Sequence, residues 1–394
     1  MQNINHKIYT RNVLMSTGEF TQEAVIENGQ NKIYESAPQG LTLGQNEASL
    51  LAIDKGNDIS FLNTKEILNL SQAEFDVLIS SKLISQLTTS LSLAFLKYSS
   101  SSNGFTDDKL YEYIASSNKT NISFPYGIFN ILNGGMHAGS RLEFCEFMII
   151  PKASSINENI RIASEVYLDL RRILENDLGI EHTLVGREGG FAPNISDVEY
   201  AILLIKKAIN VRNTNKCDIA IDIAANNLSR RIGEDNSSFE YLIKGKGYSS
   251  QEFVVYLESL LKKFPEITYL EDPFHEEDIG AWKELKTKIG DRVLIVGDDL
   301  IVTNIKYLEK YKDSINACIL KINQVGTFTD LIKAYHFCIK NNIKTIISQR
   351  SGETDSDIIS HVAVGLGSNY IKAGAPARER IIKYNSLLRI YDNK

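Results

Sequence analysis

Six short apolar runs in the second half of the chain each end in a polar or charged residue. They are IAID (Asp222), TYLED (Glu271), LIVGDD (Asp298), CILK (Lys321), TIISQR (Gln349, Arg350) and NYIK (Lys372). Between the tips lie amphipathic segments with helical spacing, such as Phe253, Val254, Leu257, Leu260 and Leu261. This repeating order of apolar strand, polar tip and helix predicts an α/β fold of the (β/α) barrel type. In such a barrel the C-terminal strand ends face one mouth, so the six tips are expected to converge there.

The first third has a different rhythm. Residues 7–37 read as three strands, with Asn28-Gly29-Gln30-Asn31 turning between the last two. Residues 38–44 form a glycine-punctuated loop. The apolar spacing predicts helix over 64–97, a flexible connector over Ser99–Gly104 and a short helix over Asp107–Ser116. A polar stretch at 118–121 followed by Pro125 marks a boundary near 120. The expected organisation is an N-terminal α+β domain over 1–120 and a barrel over 121–394. The barrel opens with FPYGIFNILN and FCEFMII, followed by helices over about 157–178 and 197–211, and a last helix closes the chain from 378 to about 391.

Composition narrows the function more than the fold. A net charge of −6 gives no electrostatic footprint for nucleic acid or an anionic membrane, so any anion site must be local. No apolar run approaches membrane-span length, and the start lacks the apolar core of a signal peptide. Four cysteines without close spacing favour a reducing compartment, and the expected location is cytoplasmic.

Asp222, Glu271 and Asp298 offer only oxygen donors on three successive tips, which suits a hard cation such as Mg²⁺. Each acid alone would serve equally as a helix cap or ion-pair partner. Lys321 ends an apolar strand, where desolvation and metal charge are expected to lower its pKa toward use as a base. Its plainer role is to pair with a tip carboxylate, and Lys372 has the same two readings. Arg350-Ser351-Gly352 combines a guanidinium, a hydroxyl and a pliant backbone, a set suited to phosphate. Glu188 and His137 sit in glycine-rich turns and Glu146 on the second barrel strand.

Taken in order, NGGMHAGS, EFMI, GREGGFAPN, IDIAAN, LEDPF, VGDDLIVTN, LKINQVGT, SQRSGET and IKAGAPARER resemble the motifs of the enolases. The resemblance spans about 124–389. It implies an eight-stranded (β/α) barrel capped by an N-terminal α+β domain, and Mg²⁺-dependent, reversible dehydration of 2-phosphoglycerate to phosphoenolpyruvate. Asp222, Glu271 and Asp298 match the metal ligands, with Thr42 at the position that supports a second ion. Lys321 matches the α-proton base, and Glu188, assisted by Glu146, the acid at the leaving hydroxyl. Arg350 and Ser351 match phosphate contacts, Lys372 a carboxylate contact, and His137 a further substrate contact.

The departures fall around the substrate. Gln349 replaces the histidine of S-H-R-S-G, and Arg187 the aspartate of G-D-E-G-G. Both are therefore expected to touch what is bound. Cys145 replaces a glutamine, Leu41-Thr42-Leu43 replace A-S-T in the lid loop, and Met15–Phe20 replace D-S-R-G-N-P. Three functions compete: a divergent enolase, a paralogue acting on a related phosphorylated or phosphonylated acid, and a non-catalytic binding protein. The expected partner is a small phosphorylated acid, with homodimerisation the family habit.

Overall fold

The computed structural model describes residues 6–29, 31–40, 47, 57–64, 66–138, 140–211, 217–233 and 238–393, except the side chains of Met136 and His137. The chain opens with an antiparallel meander of β1 (His6–Leu14), β2 (Phe20–Asn28) and β3 (Asn31–Ser36), in the order β1-β2-β3. Alternation puts Ile8, Ala24 and Ile26 on one face. That face packs on α1 (Gln72–Ser80) and α2 (Ser85–Ser102), where Phe75 and Phe95 stack with centroids 4.0 Å apart. α3 (Leu110–Asn118) follows and joins the larger core of the barrel through Leu110, Tyr111 and Ile114.

Two expectations for this region are corrected. The helical stretch over 64–97 is two helices, broken at Ser81–Ile84, so that the second can fold back on the first. Ser99–Ser102 is no connector, because α2 runs on to Ser102.

The barrel is built from β4 (Tyr126–Asn133), β5 (Glu146–Pro151), β6 (Cys217–Asp222), β10 (Ile267–Glu271), β11 (Leu294–Gly297), β12 (Ala317–Leu320), β13 (Lys344–Ser348) and β14 (Tyr370–Lys372). These eight close in the order β10-β11-β12-β13-β14-β4-β5-β6. All neighbouring pairs are parallel except those of β5, which runs antiparallel to both β4 and β6. A short helix, α4 (Gly135–Ala138), leads toward β5. α5 (Ile156–Leu178) and α6 (Val198–Val211) then precede β6.

Between β6 and β10 the chain inserts a small antiparallel sheet that the sequence reading did not anticipate: β7 (Ser229–Ile232), β8 (Ser238–Ile243) and β9 (Lys246–Ser249). It leads into α7 (Ser250–Lys263), which starts on a Ser249–Glu252 capping box. The remaining helices are α8 (Ile279–Ile289), α9 (Ile305–Tyr311), α10 (Ile322–Val325), α11 (Phe328–Lys340), α12 (Ile358–Leu366) and α13 (Ile381–Asp392). Among the described residues no helix is long and apolar enough to cross a membrane.

Ile128, Met148, Ala220, Tyr269, Val296, Ile319 and Ile346 fill the barrel interior. The side-chain period of two then dictates what lies above them. Two residues farther on, in the same phase, come Asn130, Asp222, Glu271, Asp298, Lys321 and Ser348. Tyr370 is followed in the same way by Lys372. Because β5 is reversed, Glu146 reaches this layer by preceding Met148 by two residues, and it registers opposite Asp222 and Asn133. The N-terminal sheet is fastened over this mouth. Ser16 N–H donates to the Glu353 carbonyl at 2.7 Å, and Gln39 and Gly352 exchange backbone bonds of 2.9 Å.

Candidate active site

The in-phase layer is buried and ionic. The Lys372 ammonium lies 2.9 Å from Glu146 Oε2, 2.9 and 3.0 Å from the two Glu271 oxygens and 3.5 Å from Asp222 Oδ2. Tyr269, one layer below, donates its hydroxyl to Glu271 Oε2 at 2.7 Å. Lys321 pairs with Asp298 Oδ2, and Gln324 donates to the other Asp298 oxygen at 3.0 Å. The Lys321 backbone N–H is held at 2.8 Å by the Thr303 hydroxyl. Thr303 and its neighbour Val302 have φ of 56° and 41°, left-handed values that β-branched residues rarely take. The loop after β11 is thus under strain beside the site.

Burial and the adjacent Glu271 hold the Asp222 carboxyl well above the usual carboxylate range, even with Lys372 beside it. Burial also raises Glu271, outweighing Lys372. Asp298 goes the other way: burial would raise it, but Lys321 brings it below its ordinary value. Lys372 is pulled down by burial and pushed well up by Glu146, Glu271 and Asp222. Lys321 is held by opposing effects. Burial lowers it as anticipated, but contact with Asp298 prevails and the net direction is upward.

Glu146, Asp222, Glu271 and Asp298 bring four carboxylates against two ammonium groups, Lys321 and Lys372, a formal surplus of two negative charges. An all-oxygen donor set with that surplus fits a hard divalent cation. The oxygens of Asp272, Asp298 and Asp299 also lie within 4.8 Å of one another, an acidic triad that could bind a metal ion. Asp272 and Asp299 were not singled out in the sequence. Both Asp272 oxygens are already engaged, accepting the backbone N–H groups of Asp298 at 3.0 Å and Asp299 at 2.9 Å. Asp272 therefore shapes the turn that presents Asp298.

Glu188 lies on another side of the mouth. Its Oε2 accepts from Gln349 Nε2 at 2.9 Å and from Asn130 Nδ2 at 3.3 Å. Gly190 lets this loop lie against β4, since a Cβ there would sit 2.6 Å from Asn133 Oδ1 and 2.9 Å from Asn130 Oδ1. Arg350 is buried and makes a two-pronged contact with Glu47, 3.0 Å on each side, and a 3.1 Å bond to Asn323 Oδ1. A Cβ on Gly40 would collide with this guanidinium. Arg187 and Ser351 line a cleft of about 290 Å³ together with Ser16, Thr17 and Glu19. Thr42 and the side chain of His137 lie outside the described residues.

Lys321, Lys372, Glu146, Asp222, Glu271 and Asp298 are thus drawn into one linked cluster. Glu188 and Gln349 form a second cluster, and Arg350 with Ser351 flanks it. Sequence reasoning missed Asn130, Glu47, Tyr269 and Arg380. Asn130 and Tyr269 carried a usable signal, their phase with Ile128 and Glu271; Glu47 and Arg380 become visible only when separate loops meet.

A family model described as the enolase C-terminal TIM barrel domain matches residues 121–394. The chain is 34% identical to Enolase B of Dictyostelium discoideum, over 97% of this chain and 93% of that protein. It is 35% identical to an enolase of Ehrlichia canis, over 99% and 97% of the two chains. It is 36% identical to an enolase of Sulfurisphaera tokodaii, over 98% and 94%. With the closed barrel and its ionic mouth, these likenesses establish that the chain belongs to the enolase family of hydro-lyases.

Proposed function

We propose that this protein catalyses the Mg²⁺-dependent, reversible dehydration of 2-phosphoglycerate to phosphoenolpyruvate. The observation that carries the reading is the buried ionic layer, where carboxylates and two lysines occupy the in-phase strand ends of one mouth. Asp222, Glu271 and Asp298 would hold the cation, with Thr42 supporting a second ion. When bound, it stabilises the negative charge that develops on the substrate carboxylate. Lys321 takes the α-proton, and Lys372 meets the carboxylate. Glu188, supported by Glu146, delivers a proton to the departing hydroxyl. Arg350 and Ser351 receive the phosphate end, and His137 makes a further substrate contact. In this assignment residues 1–120 cap the barrel formed by 121–394, and the protein works as a cytoplasmic enzyme.

The assay follows phosphoenolpyruvate formation from 2-phosphoglycerate and Mg²⁺, alongside exchange of the substrate α-proton in deuterated water. Both are expected in the parent, and Lys321→Ala should abolish both while the protein still binds Mg²⁺. A parent that neither exchanges nor dehydrates would overturn the reading.

The Arg187 cleft favours a second reading. Its guanidinium beside Ser351 suits a related phosphorylated or phosphonylated acid with one more anionic group. A kcat/KM higher for such an acid than for 2-phosphoglycerate would select it.

A further inference from the structure

Arg380 has no assigned role in the chemistry above, yet it is completely buried at the edge of the mouth. Nη1 donates to Gln349 Oε1 at 2.6 Å and to the Arg350 carbonyl at 2.8 Å. Nη2 donates to the carbonyls of Ser351 at 2.7 Å and Arg187 at 2.9 Å. One guanidinium therefore ties the loop after β13 to the loop that carries Glu188. A guanidinium only donates, so the amide oxygen of Gln349 must face it. The amide nitrogen is thereby turned toward Glu188, 2.9 Å away.

We propose that Arg380 and Gln349 are a positioning pair for Glu188, with Gln349 reproducing the bonds of a neutral histidine. The proposal rests on the assignment of Glu188 as the acid. Gln349 and Asn130 both donate to Oε2, so the carboxyl group is fixed about one oxygen and Oε1 is left to carry the transferable proton. A neutral imidazole has one acceptor nitrogen and one N–H. It could accept from Arg380 and donate to Glu188 just as the amide does. The glutamine thus preserves the pattern of donor and acceptor where the family motif has histidine.

The pair acts on one half of the reaction, which makes it separable from general stability. Gln349→Leu is nearly isosteric and keeps Arg380, whereas Arg380→Lys leaves too few donors for four acceptors. Both are expected to slow dehydration of 2-phosphoglycerate by at least about tenfold. Lys321-dependent α-proton exchange at saturating substrate should stay within about threefold of the parent, because that step does not involve Glu188. Gln349→His should dehydrate within about threefold of the parent. Dehydration and exchange falling together, or Gln349→Leu turning over like the parent, would refute the pair. If the parent shows neither activity, the assigned reaction fails and NMR decides the pair. The side-chain amide resonances of Gln349, identified by their loss in Gln349→Leu, should move in both Arg380→Lys and Glu188→Gln. Resonances unmoved in both variants would overturn the contacts themselves.

Discussion

Replacing Lys372 by methionine tests the electrostatics of the mouth most directly. The ammonium sits 2.9 Å from Glu146 and from Glu271 and 3.5 Å from Asp222, with every side chain at least about nine-tenths buried. Methionine fills most of the volume and removes the charge, so the cost is that of leaving three carboxylates without their shared cation. Removing one partner of a buried ion pair costs about 3–5 kcal/mol. An unfolding entropy of about 2.1 cal/mol/K per residue over 394 residues gives roughly 0.8 kcal/mol/K. The unfolding midpoint should therefore fall by roughly 4–6 °C. The loss should also depend on pH. Asp222 and Glu271 already lie above their ordinary values, and removing Lys372 raises them further. An acid with a raised folded-state pKa costs stability when ionised, so the deficit should be small near pH 4 and grow toward pH 8. A divalent cation should restore more stability to the variant than to the parent, because it no longer competes with the ammonium. Thermal unfolding at pH 4, 6 and 8, in EDTA and in Mg²⁺, measures all three effects. A variant within 1 °C of the parent at pH 8 in EDTA would refute the argument. A deficit that ignores pH would trace the loss to packing instead.

Asp298→Asn should weaken Mg²⁺ binding by well over tenfold in calorimetric titration, since it removes one anionic donor and the counterion of Lys321. Glu276 is pushed up to about 7 by burial, with Asp299 and Glu277 adding to the effect. Its ionised form therefore costs stability above about pH 7 and not below its ordinary value. Glu276→Gln should gain about 1–2 kcal/mol at pH 8, after allowance for solvent screening, with the gain vanishing toward pH 4 in urea unfolding. Arg187→Asp restores the acid of the family motif at the cleft beside Ser351. It should raise kcat/KM on 2-phosphoglycerate about tenfold, equivalent to about 1.4 kcal/mol, unless the natural ligand carries the extra anion.

Much of the barrel was legible because strand, tip and helix each leave a local periodic mark. The six tips all lie at the mouth, and the three N-terminal strands match their expected ranges closely. Legibility failed where the determining contacts were distant. The break between α1 and α2 carries no glycine or proline; it is set by the antiparallel packing of Phe75 on Phe95. The serine run Ser99–Ser102 disguised the end of α2, where Ser100 is nevertheless buried. The inserted sheet was a different kind of miss. Phe239, Tyr241 and Ile243 alternate plainly with more exposed residues, but the expected barrel rhythm drew attention past them. At the site, residue types pointed to chemistry, whereas the bonds joining Arg380 to Gln349, and Gln349 to Glu188, required three loops to be assembled.

The reversal of β5 also changes which connections are safe to redesign. In a barrel of uniformly parallel strands, every connection entering a strand lies at the end remote from the chemistry and tolerates insertions best. Here the connection entering β5, across residues 134–145, opens onto the catalytic end, while the one leaving it after Pro151 lies at the far end. A reporter peptide or affinity tag grafted after Pro151 should thus be functionally silent, and the same graft before Glu146 should not. The usual map of permissive and sensitive loops is inverted for this one strand.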